Sequence, residues 1–320
     1  MNTTFTVFSL LAFVSGNLSA AETTPLHEAA SDRVSARPEL TITTLGFGSC
    51  ARQDRPQPIW DSINAARCDA FVLLGDNIYA DTSDPAVFRV KYALLAAMPG
   101  FAKLRQTTPL FVTWDDHDYG TNDGGAGFLG AETAQKEFCD FFQVPANSPL
   151  RTTPGEGQWA WFERRLREPA EIRVVISSIQ LIPTEHGSEK WENFPKERAR
   201  FLELLRRMQA KGVVVISGDR HLAELSMLTP ADGAPYPLYD LTTSGLNQPI
   251  AKESEHKAKN PPKPQPNRYR LHERPYSGSN FGLMRVKWDG PNPSLRLDVC
   301  GLEGDVVISR DVPFLELHPK

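Results

Sequence analysis

The stretch AFVLLGDNIYAD, residues 70–81, decides how this chain folds. Its first five positions are all apolar, leaving no polar face for water, and the run stops at Gly-Asp. A half-exposed strand alternates polar and apolar residues, whereas a short unbroken apolar run bounded by turn residues is buried on both faces. Both faces of a strand are covered where helices or a second sheet pack on either side, which is the layered α/β arrangement. LFVTWDD (110–116) and GVVVISGDRH (212–221) repeat the pattern, and TITTLGFGSC (41–50) and EIRVVISSIQLIP (171–183) add two more strands. Between them lie three helix candidates with apolar residues at helical spacing: QPIWDSINAARC (57–68), PAVFRVKYALLAAM (85–98) and ERARFLELLRRMQAK (197–211). NFGLMRVKWD (280–289) and LRLDVCGLEGDVVISRDV (295–312) read as antiparallel strands closing the domain, and residues 247–277, rich in Pro, Lys and Asn, read as a long loop.

At 320 residues, 40% hydrophobic and 23% charged, the chain has the composition and length of one large α/β domain. Its net charge of −4 lacks the basic surplus of a nucleic-acid-binding module. Cys50, Cys68, Cys139 and Cys300 are far apart with no C-x-x-C pair, which argues against a zinc ribbon or a dense disulfide framework. FTVFSLLAFV (5–14), followed by small residues around Ala20 and Ala21, has the form of an export signal over residues 1–21, although MNTT before it carries no Lys or Arg. The run is too short to span a bilayer, and no later segment is apolar enough to do so. The expectation is a periplasmic or secreted protein with a polar extension at 22–40 and a single domain over 41–320.

Chemistry-bearing residues gather at one kind of place, the C-terminal end of a buried strand: GSC (48–50), GDNIYAD (75–81), TWDDHDYGTND (113–123) and SGDRH (217–221). Ligands bind at that edge of open α/β sheets. Taken singly, Gly75-Asp76 is also a plausible strand-ending turn, Cys50 a small buried hydrophobe, and Asp219-Arg220-His221 a polar turn. Crowded carboxylates directly after an apolar strand and beside Trp114 are harder to explain that way, because they repel unless a cation neutralises them. Carboxylates, a thiol, a phenol, a carboxamide and imidazoles together make a ligand set for two metals, mostly hard oxygen donors with one softer corner at Cys50 and Tyr79.

GSCARQ, LLGDNIYADT, TWDDHDYGTND, SSIQ, EKWENFP and SGDRHLAEL, in that order, resemble the PhoD-like (alkaline phosphatase D) family of the metallophosphoesterases. The resemblance implies a four-layered α/β/β/α sandwich with two or three metal ions at the strand ends, iron with calcium or another divalent cation. It implies Cys50 and Tyr79 as iron ligands, Asp76 as the bridging carboxylate, Asp115 or Asp116 with Asn122 on the second metal, and Asp219 with His221 closing the set. Asp118 is expected to shape the turn. Arg52 and Arg220 are candidate phosphate contacts by charge and position, and either His117 or His221 could serve as general acid. The implied activity is metal-dependent hydrolysis of a phosphate monoester or diester, in which two cations bind phosphoryl oxygens and activate a water. The alternative is a catalytically impaired relative that binds metal or phosphate. One departure matters: family members carry a further strand ahead of the motif that reads GEGQWAWFERRL (155–166) here, so either the sheet closes without it or this chain is a shortened variant.

Overall fold

β3 (Ala70–Leu74) is buried at all five positions, and its two faces belong to different cores. Ala70, Val72 and Leu74 point into one hydrophobic cluster, Phe71 and Leu73 into the other. That alternation defines the layers. The computed structural model describes residues 5–9, 42–125, 127–148, 151, 156–251, 264–288 and 292–319. Within them β3 lies in a six-stranded sheet ordered β11-β10-β9-β2-β3-β4, with β2 at Thr44–Gly48, β4 at Leu110–Thr113, β9 at Phe281–Lys287, β10 at Ser294–Cys300 and β11 at Val306–Pro313. β2, β3 and β4 are parallel, and β9, β10 and β11 extend the sheet antiparallel.

The second sheet is ordered β1-β5-β6-β8-β7, with β1 at Phe5–Ser9, β5 at Ile172–Ile176, β6 at Val213–Ser217, β7 at Ala223–Leu228 and β8 at Leu238–Thr243. The first cluster fills the space between the sheets and joins Leu45, Phe47 and Val72 to Val174, Val215 and Leu241. It continues beneath α6 (Glu156–Leu166) and α7 (Pro195–Arg207) through Phe162 and Phe201, whose rings stack 5.7 Å apart. The second cluster packs the other face of the six-stranded sheet against α1 (Ile59–Ala66), α2 (Pro85–Ala97), α3 (Pro99–Thr107) and α5 (Ala131–Phe141). A single turn, α4 (Asp116–Tyr119), follows β4. The layer order is therefore helices, sheet, sheet, helices, the expected four-layered sandwich.

Helix ends follow local chemistry. α2 begins at Asp84, whose side chain accepts a hydrogen bond from Ala86 N at 2.8 Å ahead of Pro85 at the first helical position. α3 was not anticipated: Met98 is extended and Pro99 restarts a helix where the sequence reads as a connection. The strand expected over 171–183 is shorter, because beyond Ile176 the backbone turns. Leu181 and Ile182 then donate to the buried Asp240 carboxylate at 2.8 and 3.2 Å instead of to a neighbouring strand. Residues 264–277 of the expected long loop run beside β7, bonded by Met227 N to Tyr269 O and by Ala223 to Tyr276 in both directions. Residues 252–263 lie outside the described residues, as do the expected extension at 22–40 and most of the export-signal segment.

One edge strand comes from far upstream in the chain. β1 pairs in parallel with β5 over Phe5↔Ile172 to Ser9↔Ile176. Phe5–Ser9, the first half of the apolar run in the expected export signal, thus lies as the outer strand beside β5.

Candidate metal centre

Parallel strands bring their ends to one edge. β2 ends at Ser49-Cys50, β3 at Gly75-Asp76, β4 at Trp114-Asp115 and β6 at Gly218-Asp219. A parallel bridge from Ser49 to Ser244, just past β8, joins the two sheets at this edge. Close approach is needed here. A Cβ on Gly75, whose φ is +101°, would lie 2.6 Å from Asp115 Cβ, and one on Gly218 would lie 2.5 Å from Ser49 Oγ.

The backbone is strained where the chemistry gathers. Among the described residues, nine non-glycine positions have positive φ; Arg67, Gln143 and Gln209 end helices, and the others are Cys50, Asp76, Asp81, Asp123, Asp219 and His221. Such conformations persist where surrounding structure enforces them, characteristically at functional sites.

Ligating atoms of Cys50, Asp76 and His221 lie within 4.8 Å of one another, as do those of Asp76, Asp116 and His117, and of Asp116, Asp123 and Glu189. Asp76 is common to the first two groups and Asp116 to the second and third. The Cys50 thiol lies 3.0 Å from Ser244 Oγ and donates to Asp76 Oδ2 at 3.4 Å. Tyr79 Oη is 3.4 Å from His221 Nε2. Asp115 is buried close to Asp76, Asp116 and Asp219, whose charges act on it. Asn122 is exposed on the loop after α4, and its neighbour Asp123 enters the third group. Arg52 lies outside the groups, with its guanidinium 5.5 Å from the Tyr79 ring and bonded to Asp54 at 2.8 Å.

Three side chains frame this set. Asp118 is fully buried and accepts from Asn77 N, Asn77 Nδ2, Ile78 N and Asp115 N, tying the loop after β3 to the turn after β4. His117 Nδ1 lies 2.6 Å from Asp81 Oδ1, and its ring packs on Tyr79 at 4.2 Å. Glu189 comes from the loop after β5, within the EKWENFP motif. Sequence reasoning left Asp81, Asp123 and Glu189 without roles; each lies in a quoted motif or one residue from an assigned position.

Without a cation this arrangement is electrostatically unfavourable. Burial and then the charges of Cys50, Asp116, Asp118 and Asp219 push Asp76 well above the usual carboxylate range. Asp115 is raised likewise, by burial and then by Asp76 and Asp116. Asp219 is pushed up to about 7 by burial and Asp116, against the pull of Arg220 and His221. Burial pushes the Cys50 thiol up to about 12 and raises the Tyr79 phenol. Asp76 Oδ1 and Asp115 Oδ2 are buried with no hydrogen-bond partner. Orphaned carboxylate oxygens among mutually repelling acids are what a cation would satisfy, so the residues present fit divalent metal ions.

The PhoD-like phosphatase family model matches residues 131–292, just over half of the chain, a span that contains Asp219, Arg220 and His221 but not the motifs at Cys50, Asp76 and Asp116. No curated protein matches. The solved structure of PhoD superposes with a TM-score of 0.64 at 15% identity, over 85% of this chain and 68% of that one. GAP50, the anchor in the inner membrane complex of Plasmodium, superposes at 0.53 and 13% identity, over 84% of this chain and 88% of that one. Both share the fold described above. With a family match across half its length and a sandwich that superposes on PhoD, the chain belongs to the PhoD-like phosphatase family.

Proposed function

We propose that this protein is an exported hydrolase of phosphate monoesters or diesters, working at the strand-end site with two or three metal ions, iron plus calcium or another divalent cation. The observation that carries the proposal is the pair of overlapping ligand groups sharing Asp76, with orphaned oxygens on Asp76 and Asp115. Asp76 would bridge, Cys50, Tyr79 and His221 would hold one ion with Asp219 beside them, and Asp116, Asp115 and Asn122 would serve the other. When bound, the ions supply positive charge for phosphoryl oxygens and acidify a water near neutral pH. No nucleophilic Ser or Cys is required, and Cys50 acts as a ligand.

The chain's own residues have distinct tasks. The Asp81 carboxylate accepts from His117 Nδ1–H, which leaves Nε2 to take up a proton and, from the imidazolium, pass it to the leaving alkoxide. His221, grouped with Cys50 and Asp76, serves as a ligand; His117 also lies within reach of Asp76 and Asp116, but its Nδ1 is engaged by Asp81, which favours it as the general acid. Arg220 offers positive charge to the phosphoryl group. The apolar run at 5–14 and the small residues after it support export.

The test is hydrolysis of p-nitrophenyl phosphate and bis(p-nitrophenyl) phosphate by the full chain, with metal content measured on the same sample. Turnover that chelator abolishes, and that Asp76→Ala lacks, is the expected result. Turnover by Asp76→Ala at the unsubstituted rate would overturn the assignment. Bound metal with no turnover on either ester would leave a metal-binding relative.

A further inference from the structure

Beside the metal centre lies a second set of buried polar groups whose pairing is incomplete. His186 is 4% exposed, and neither Nδ1 nor Nε2 has a hydrogen-bond partner. Arg220 is 7% exposed; its Nη2 donates to Gln265 Oε1 at 2.7 Å, and its Nε has no partner. Lys190 is equally buried, and its Nζ donates to two neutral oxygens, Ser188 O at 3.2 Å and Asn193 Oδ1 at 2.8 Å. These groups share one neighbourhood. Burial and the positive charges of Arg220, Lys190 and Arg270 push His186 down to about 3, keeping it neutral.

The nearby acids are already engaged. Glu224 accepts from Arg270 Nε at 2.5 Å, Gln180 Nε2 at 2.8 Å and Asn267 Nδ2 at 3.0 Å. Asp219 acts on Arg220 but stands among the candidate metal ligands. Arg220 and Lys190 are therefore buried cations facing neutral acceptors, beside an imidazole with both nitrogens idle. Buried cations ordinarily find anions, and an unsatisfied buried donor costs free energy that a ligand can recover.

We propose that Arg220, Lys190 and His186 form an oxyanion subsite that takes phosphoryl oxygens of free or esterified phosphate, and that the Gln265 carboxamide holds the acceptor position until the anion displaces it. The identity of the anion rests on the phosphoesterase proposal above. Gln265 suits the role of place-holder: it is an exposed residue in PQPN (264–267), and its oxygen presents to Arg220 a neutral version of the acceptor that a phosphate would offer with full charge. Arg220 adjoins Asp219 and His221, so an anion held there lies next to the metal centre. The imidazole supplies one N–H to a phosphoryl oxygen.

The experiment is a calorimetric titration of the full chain with inorganic phosphate, with and without chelator, alongside KM for p-nitrophenyl phosphate with metal present. The chelated protein is expected to bind phosphate, and His186→Phe and Lys190→Met each to weaken that binding at least about tenfold. Gln265→Ala is expected to tighten it, because the competing oxygen is gone. In the ester arm, KM rises in the first two variants while metal content stays the same. An effect confined to free phosphate identifies a product site, and an effect on both identifies a substrate site; either supports the subsite. Unchanged phosphate binding in all three variants, or none by the unsubstituted chelated protein, overturns it. Should the buried substitutions prevent folding, Gln265→Ala decides alone. Phosphate binding without ester turnover would defeat the proposed function and leave this subsite standing.

Discussion

His117 Nδ1 lies 2.6 Å from Asp81 Oδ1, an approach that commits this nitrogen to donating to the carboxylate. Asp81 holds a left-handed backbone to make it, with φ 47°. Asp81→Asn keeps the size and tolerates that backbone, but its amide no longer enforces the tautomer. The expected outcome is a fall in kcat of about 10–100-fold with unchanged metal content, measured by steady-state kinetics and elemental analysis. A kcat within twofold of the unsubstituted protein would show that the pair is structural.

Asp76 should report the conflict between stability and function. Its carboxylate is fully buried, repelled by Cys50, Asp116 and Asp219, and unpaired at Oδ1. In the chelated protein, Asp76→Asn should therefore raise the unfolding free energy by about 1 kcal/mol or more, and it should abolish the rise in Tm that added metal gives the unsubstituted chain. Thermal melts with and without chelator check both halves.

The same acids set a pH dependence. Asp219 sits at about 7 in the folded chain against an ordinary 3.8, so the folded state holds the proton more tightly. Its contribution to stability is complete below the unfolded value and lost as pH rises through the folded one. The chelated protein should thus lose stability between about pH 4 and 7. Metal uptake reverses the trend, because ligands must give up protons to bind. Affinity should rise with pH and protons should be released, which calorimetry in buffers of different ionisation enthalpy would register.

Arg270 and Glu224 form an ion pair, 2.5 Å apart, with side chains 9% and 3% exposed. Arg270→Met leaves Glu224 charged and buried. A loss of about 3–5 kcal/mol is expected in chemical denaturation, and Glu224→Gln added to it should recover part of that loss.

Much of this was legible in the chain. Unbroken apolar runs ending in Gly-Asp or Asp-Asp marked β3, β4 and β6, because burial on both faces leaves no alternation to disguise. The strand-end motifs then marked the edge where Cys50, Asp76, Asp116 and His221 meet. What escaped depended on tertiary contacts. α3 begins at a Pro-Gly pair that reads as a turn. β7 and β8 lie in a stretch where Ser, Thr and Asp interrupt the apolar pattern, since Asp240 and Glu224 are buried with partners from elsewhere in the fold. The loneliness of His186 could not be read from spacing, because an unpaired nitrogen is visible only once its surroundings are known.

The strand Phe5–Ser9 gives the chain two incompatible fates. Paired with β5, it shields the free edge of a sheet built from IRVVI and VVVIS. Removed by a peptidase near Ala21, it would leave that edge with unsatisfied amides and carbonyls, a template on which another copy could add a strand. Covering that edge is therefore the structural role of Phe5–Ser9, and losing the strand would expose a surface on which a second chain could pair.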